Sequence, residues 1–302
     1  MKEAFHIISD GSCDLSPELA REKNITVVPF YVSFDGEHYL KENVEIGIRD
    51  FYGQMVDRKG VYPTSSMPSV QDYADAFLPF ARAGVPVICI CITTKFSGSM
   101  QSALNARAMV QEDYPQAEIA VIDSAVDTVL QGLYVLEAAQ LRDHGASYAA
   151  AVQRLEELKH TGRIFFTVGS MEYLQHGGRI GKVAALAGGI LDIRPIITLK
   201  QGEIFPSGID RGRKRSVKKV LDLLLDHLQK GGLPIDHYSL TVGYGYDQAE
   251  GAAFRDQAVA ALREKGYPID TLPIFQIGAT IGVHTGPHPL GFGIIEKAVR
   301  PE

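Results

Sequence analysis

Apolar positions along this chain fall into short dense runs separated by segments of helical spacing. Val85-Pro-Val-Ile-Cys-Ile-Cys-Ile92 is the densest of these runs. Such a run is what a strand covered on both faces of a parallel sheet requires. Phe5 to Ile8 and Glu118 to Ile122 read as companion strands, ending in the polar turns Ser9-Asp-Gly-Ser-Cys-Asp14 and Asp123-Ser124. Asp10 and Ser12 thus stand at a strand's carboxyl end, where open α/β sheets gather ligands. Between the strands lie helices. Ser16 caps the first, with Pro17 at its opening position. Ser69 caps another, over Val70 to Arg82. An Ala-rich helix runs to about Val110, and Gln131 to Arg142 and Ala149 to Lys159 complete the set.

Ile25 to Phe34 reads as a strand, turned by Asp35-Gly36 into a returning Glu37 to Leu40. Ile48 to Val56 reads as a helix, and Pro63-Thr-Ser-Ser-Met-Pro-Ser69 as a hydroxyl-rich loop. Near Thr161 the pattern changes. Downstream come a strand at Ile164 to Val168, a hairpin-like Ile196 to Phe205, and a helix over about Val217 to Leu228. Strands at Tyr238 to Gly243 and Leu290 to Ile295 flank a helix through Ala252 to Lys265. Alternating strands and helices predict an α/β fold of two domains. Residues 1–160 form a doubly wound, mostly parallel sheet, and residues 161–302 a mixed α/β sheet.

Composition narrows the function. The 302 residues carry a net charge of −6, which offers no general basic field for nucleic acid. Cys13, Cys89 and Cys91 have no metal spacing. As strand residues Cys89 and Cys91 face one side and read as small buried hydrophobes. No apolar stretch reaches about 18 residues, and the N-terminus has no basic-then-apolar leader. The expectation is a cytoplasmic protein without stable membrane insertion.

Several candidate chemistries can be weighed. Tyr173-Leu-Gln-His-Gly-Gly-Arg-Ile-Gly-Lys182 looks like a phosphate loop, but Val183 follows the lysine and the glycine spacing is one short. Gly243-Tyr-Gly-Tyr-Asp-Gln248 lacks the third glycine of a dinucleotide fingerprint. His284 and His288 have helical metal spacing, but Gly286 and Pro287 between them argue for a turn. Ser97 follows a buried strand, as a hydrolase serine does, without the G-x-S-x-G elbow; with His284 as base it defines an esterase or acyl-transfer alternative. Ser97 and Ser99 at a helix start, the hydroxyls of Ser65 and Ser66, and His284 instead suit one carboxylate. Arg211 to Arg215 is either a solvated face or a docking patch.

A resemblance fits these places. Ile7-Ile-Ser-Asp-Gly-Ser-Cys-Asp-Leu15, Thr64-Ser-Ser-Met-Pro-Ser69, Phe96-Ser-Gly-Ser-Met-Gln-Ser-Ala103 and Val121-Ile-Asp-Ser124 are similar in order and spacing to the DegV family. Glu172 to Ile180, Ile190-Leu-Asp-Ile-Arg-Pro195 and His284-Thr-Gly-Pro287 continue the match. The resemblance implies a non-enzymatic, long-chain fatty-acid-binding protein with no cofactor, the lipid lying between the two domains. Ser65, Ser97 and His284 are implied to hold the carboxylate. A separate ATP-dependent fatty acid kinase is the implied partner, making acyl phosphate for phospholipid synthesis, with an acyltransferase as a further one. Arg179 is implied at the head-group end or the partner-facing surface, and Arg211 or Arg213 in docking. Ala184, Leu186, Gly188, Gly189, Ile190 and Leu191 are then the expected pocket wall. Two departures stand out: Ser65-Ser-Met-Pro68 where the family has Thr-Ser-Gln-Pro, and His288 in place of a glycine.

Overall fold

The computed structural model describes residues 4–58, 60–186 and 193–300. Its first sheet joins β1 (His6–Asp10), β2 (Ile25–Val28), β6 (Val87–Cys91) and β7 (Ile119–Asp123) in the order β2-β1-β6-β7, all parallel. Alternation along these strands sends side chains to two separate cores. Ile7, Ile88, Ile90 and Ile122 face one side; Ile8, Cys89 and Cys91 face α3 (Val70–Ala83) and α4 (Ser99–Asp113) on the other. Cys89 and Cys91 are free and buried on that one side, as expected, with sulfurs 3.8 Å apart.

The strand expected over residues 25–34 is divided. Pro29 interrupts it, since proline brings no N–H to a ladder. Residues beyond it form β3 (Tyr31–Ser33), in a small antiparallel sheet with β4 (Leu40–Lys41) and β5 (Thr64–Ser66). The expected loop at 63–69 therefore contains a strand, because its partner β3 is distant in sequence.

The second large sheet contains β8 (Arg163–Thr167), β9 (Ile193–Lys200), β10 (Glu203–Arg211), β11 (Tyr238–Tyr244), β12 (Ile274–Gln276) and β13 (Leu290–Glu296). Their order is β10-β9-β8-β13-β11-β12. Only β11 and β12 pair in parallel, so this sheet is mixed as expected. α8 (Arg213–Gly231) and α9 (Gln248–Glu264) cover one face through Val220, Leu224, Phe254 and Leu262. Gln201 and Gly202 turn the β9–β10 hairpin with φ 53 and 80, and its tip reaches the first sheet, where Thr93 donates to the Gly202 carbonyl at 3.3 Å.

α5 (Thr128–Asp143) lies between the two large sheets and is buried nearly all round. A helix that is apolar on every face needs such a place. Gly132 makes the approach possible: a Cβ there would stand 2.5 Å from the Cys13 carbonyl oxygen. Gly132→Ala, ordinarily stabilising in a helix by about 1 kcal/mol, is expected to destabilise by about 1–3 kcal/mol through this clash. Urea unfolding measures it, and a stabilised variant would contradict the packing. None of the described helices is long and apolar enough to cross a membrane.

Candidate functional site

Four segments converge on one cavity of about 270 Å³. They are β5, the loop after β6, the run through α7 (Glu172–His176), and α10 (Ala279–Thr285). Ser65, Ser97, Arg179 and His284 all line it. Phe30, Ile92, Phe96, Phe166, Leu174 and Ile281 supply apolar wall. A second chamber of about 40 Å³ lies beyond, sharing Asp127, Phe166, Ile281 and Thr285 with the first. Its remaining lining is mostly apolar, with Val129, Ile164, Ile277 and Pro289 among it.

His284 sits inside α10, not in the turn that Gly286 and Pro287 predict; the helix ends only one residue later. A buried Glu42 makes the helix start possible. Its carboxylate accepts from the N–H groups of Ala279 and Thr280 and from the Thr280 hydroxyl. This satisfies donors that a helix start leaves open and favours its positive end. Burial nevertheless pushes Glu42 up to about 7. A carboxyl raised in the folded state adds stability below that value and loses it as pH rises from the ordinary 4.5 through 7. The Glu42 contribution to unfolding free energy is expected to fall between about pH 4.5 and 7, and Glu42→Gln to lose that fall relative to the parent protein. Equal slopes in the two proteins would refute this.

His284 Nε2 lies 3.2 Å from Ser65 Oγ. Burial, and then the nearby Arg179 charge, hold its pKa down at about 4. The ring is therefore neutral at pH 7, able to donate from one nitrogen and accept at the other. It lies directly on Gly177, where a Cβ would stand 2.1 Å from Nδ1.

The run containing Gly177 frames this histidine on other sides as well. Tyr173 packs where a Cβ of Gly286 would be, 2.5 Å from its ring. Tyr62 stacks on His176 at 3.7 Å and donates to Glu172 at 3.0 Å. Arg179 is exposed at the mouth, donating to the Phe96 carbonyl at 3.1 Å and to the Gly177 carbonyl at 2.8 Å. Gly245 has a related task, since a Cβ would stand 2.4 Å from the Pro287 carbonyl oxygen. The Gly243-Tyr-Gly run thus seats the turn after His284 and reads no dinucleotide.

Other expectations meet a different arrangement. Ser97 lines the cavity and accepts from the Ser99 N–H at 3.2 Å. Ser99 is buried away from it, donating to Asp10 at 2.8 Å and lying 2.6 Å from the Tyr73 hydroxyl. Asp10 and Ser12 are no ligand site either. Both are fully buried and share Gln131, whose amide donates to Asp10 at 2.8 Å. Their polarity is consumed inside the fold. Met67 rests at the mouth, with its sulfur 2.9 Å from where a Gly98 Cβ would be. His288 lies outside the cavity, against Gly169.

Of the expected pocket wall, Ala184 is exposed and absent from the cavity lining. Gly188, Gly189, Ile190 and Leu191 lie outside the described residues, and so does the side chain of Leu186. Arg211 is exposed, whereas Arg213 forms a bidentate pair with Glu250 at 2.7 and 2.8 Å. No group of three or more His, Cys, Asp or Glu side chains suited to a metal occurs among the described residues. Sequence reasoning missed Asp127, Thr285 and the capping Glu42. Asp127 follows the Asp123-Ser124 turn at a strand's end, a position that offered a signal; Glu42 offered none.

Fold and cavity together define an α/β protein of two large sheets and one small one, with a largely apolar internal cavity that carries hydroxyls and a neutral imidazole. The chain belongs to the DegV family: the family model, described as an uncharacterised protein of the DegV family, matches residues 4–297. A DegV domain-containing protein of Caldanaerobacter subterraneus is 32% identical, covering 98% of this chain and 100% of its own length. Among solved structures, a stearic acid-binding protein from Eubacterium ventriosum is 43% identical, with a TM-score of 0.92 and coverage of 97% of this chain and 99% of its own. A fatty-acid-binding DegV family protein from Thermus thermophilus is 29% identical at a TM-score of 0.81, covering 97% of this chain and 99% of its own.

Proposed function

We propose that this chain binds a long-chain fatty acid, tail inward, with the carboxylate against Ser65, Ser97 and His284. The observation that carries the reading is the Ser65–His284 pair in a cavity whose wall also includes Phe30, Ile92, Phe96, Phe166, Leu174 and Ile281. The family relatives whose structures hold or are described as binding fatty acids support it. A tail of roughly 14 to 16 methylenes yields about 11–13 kcal/mol gross at about 0.8 kcal/mol each, before the costs of association. The head site then chiefly sets direction. The ligand lies between two units divided near residue 160.

The carboxylate is presented to a separate ATP-dependent fatty acid kinase, which forms the acyl phosphate. Arg179 and the exposed Arg211 are the cations assigned to meet such a partner. Arg213, held by Glu250, contributes through the shape of the β10–α8 corner. The esterase alternative has little support. His284 pairs with Ser65, its lowered pKa makes it a weak base, and no carboxylate of the described residues bonds Nδ1. Displacement titration of a fluorescent fatty acid tests the reading. Long-chain fatty acids compete and short ones do not; equal competition by both would remove it.

A further inference from the structure

Asp127 stands where the two chambers meet. It lines both, together with Phe166, Ile281 and Thr285. Its Oδ1 is buried and has no hydrogen-bond partner. The residue precedes α5, where an aspartate side chain ordinarily accepts from a helix N–H. Here it makes no such bond. The next residue, Thr128, has φ 49, and its hydroxyl donates to Asp14 instead. The Asp127 carbonyl accepts from the Gln131 N–H at 3.0 Å, but no group of the described residues reaches its Oδ1, and a buried carboxyl oxygen left unpaired is costly.

Its surroundings set its chemistry. Burial pushes its pKa up to about 7. The group is therefore able to carry a proton near neutral pH, donating through it while still accepting. A plain alkyl chain lying past this point gives Oδ1 no partner, and an unsatisfied buried polar atom is penalised. A site with such an atom discriminates strongly against ligands that leave it unpaired.

We propose that Asp127 selects acyl chains carrying a hydroxyl or oxo oxygen partway along the tail, at the level of the constriction. The ligand class is a mid-chain oxygenated fatty acid. The inference rests on the proposed fatty-acid reading and adds the specificity of its tail. The oxygen meets Asp127 while the carboxylate meets Ser65, Ser97 and His284, so the ligand is fixed at two points. Phe166 and Ile281 hold the alkyl segment between the two chambers.

Calorimetric titration of the delipidated full chain with stearic acid, and with monohydroxystearic acids substituted at successive mid-chain carbons, decides it. At least one positional isomer is expected to bind about 10-fold tighter than stearic acid. Asp127→Leu is expected to reverse that preference, and Asp127→Asn, which keeps a donor and an acceptor, to retain it. The ratio between ligands is the readout, because a merely structural role would weaken all of them together. Stearic acid binding as tightly as every isomer overturns the inference while leaving fatty-acid binding intact. So does a preference that survives in Asp127→Leu. If Asp127→Leu does not fold, Asp127→Ala takes its place, and the wild-type panel decides the preference alone. If wild type binds none of these acids, the fatty-acid reading fails and this one with it.

Discussion

Gly177→Ala is expected to remove about 100-fold of the affinity for a long-chain fatty acid, near 2.7 kcal/mol. The backbone at this position, with φ −73, accepts alanine without strain. The effect comes from contact alone. The added methyl would stand 2.1 Å from His284 Nδ1 and 3.0 Å from the Tyr173 carbonyl oxygen. The carbonyl is held in place, and the ring can move only toward the cavity it lines. The Tyr173 carbonyl accepts from the Gly177 N–H at 2.9 Å, and the imidazole is enclosed by the cavity. The ring must tilt, which breaks the 3.2 Å approach to Ser65. Overpacking of this kind costs about 1–3 kcal/mol, and the displaced head-group bond adds to it. Gly53→Ala supplies the control. It lies inside α2 (Ile48–Asp57) with no atom within 4 Å of the added carbon. It should leave affinity unchanged and raise stability slightly. Titration with stearic acid compares the two, and full affinity in Gly177→Ala would show that the histidine does not hold the head group.

His284→Ala is expected to weaken binding by roughly 10- to 100-fold, the range of one hydrogen bond to a charged acceptor. Ser65→Ala is expected to cost less, because a serine is freer to rotate and water can replace it. The two losses should not add. The side chains touch, so each variant also changes the other's geometry, and contacting pairs couple by about 0.5–3 kcal/mol. A double-mutant cycle measured by titration with a saturated fatty acid gives that coupling. His284→Gln should retain more affinity than His284→Ala, since the imidazole acts as a neutral donor. Strictly additive losses, or unchanged affinity in the single variants, would contradict the shared head site. Circular dichroism confirms that each variant folds.

The parallel sheet was legible because its central strand is apolar on both faces, a pattern that needs no knowledge of distant partners. The places that misled were those whose structure depends on distant residues. β5 looked like a loop, since its hydroxyl residues carry no apolar alternation and its partner β3 is distant in sequence. His284 looked like a turn residue, since the cap that starts its helix is Glu42, 237 positions away. Ser99 and Asp10 looked available, and instead bond each other. Ser65, Ser97 and His284 were brought to one cavity from three separate parts of the chain. The resemblance named these residues, while the residues' own spacing left a hydrolase and an anion site both open.

The stretch from Tyr173 to Lys182 changes most. Its glycines looked made for phosphate. In the fold, Gly177 gives the His284 ring its place, Tyr173 packs on Gly286, and Arg179 ties the mouth to the Phe96 carbonyl. The run is a brace around the Ser65–His284 pair. Asp127 is the reverse case, a polar residue whose Oδ1 the fold leaves without a partner among the described residues.

The most direct measurement is native mass spectrometry of the protein purified from cells, followed by organic extraction and analysis of any released lipid. The expected result is a mass increment that extraction converts into a long-chain fatty acid, and the same uptake when delipidated protein is incubated with one. Protein that carries no fatty acid and takes none up would contradict it.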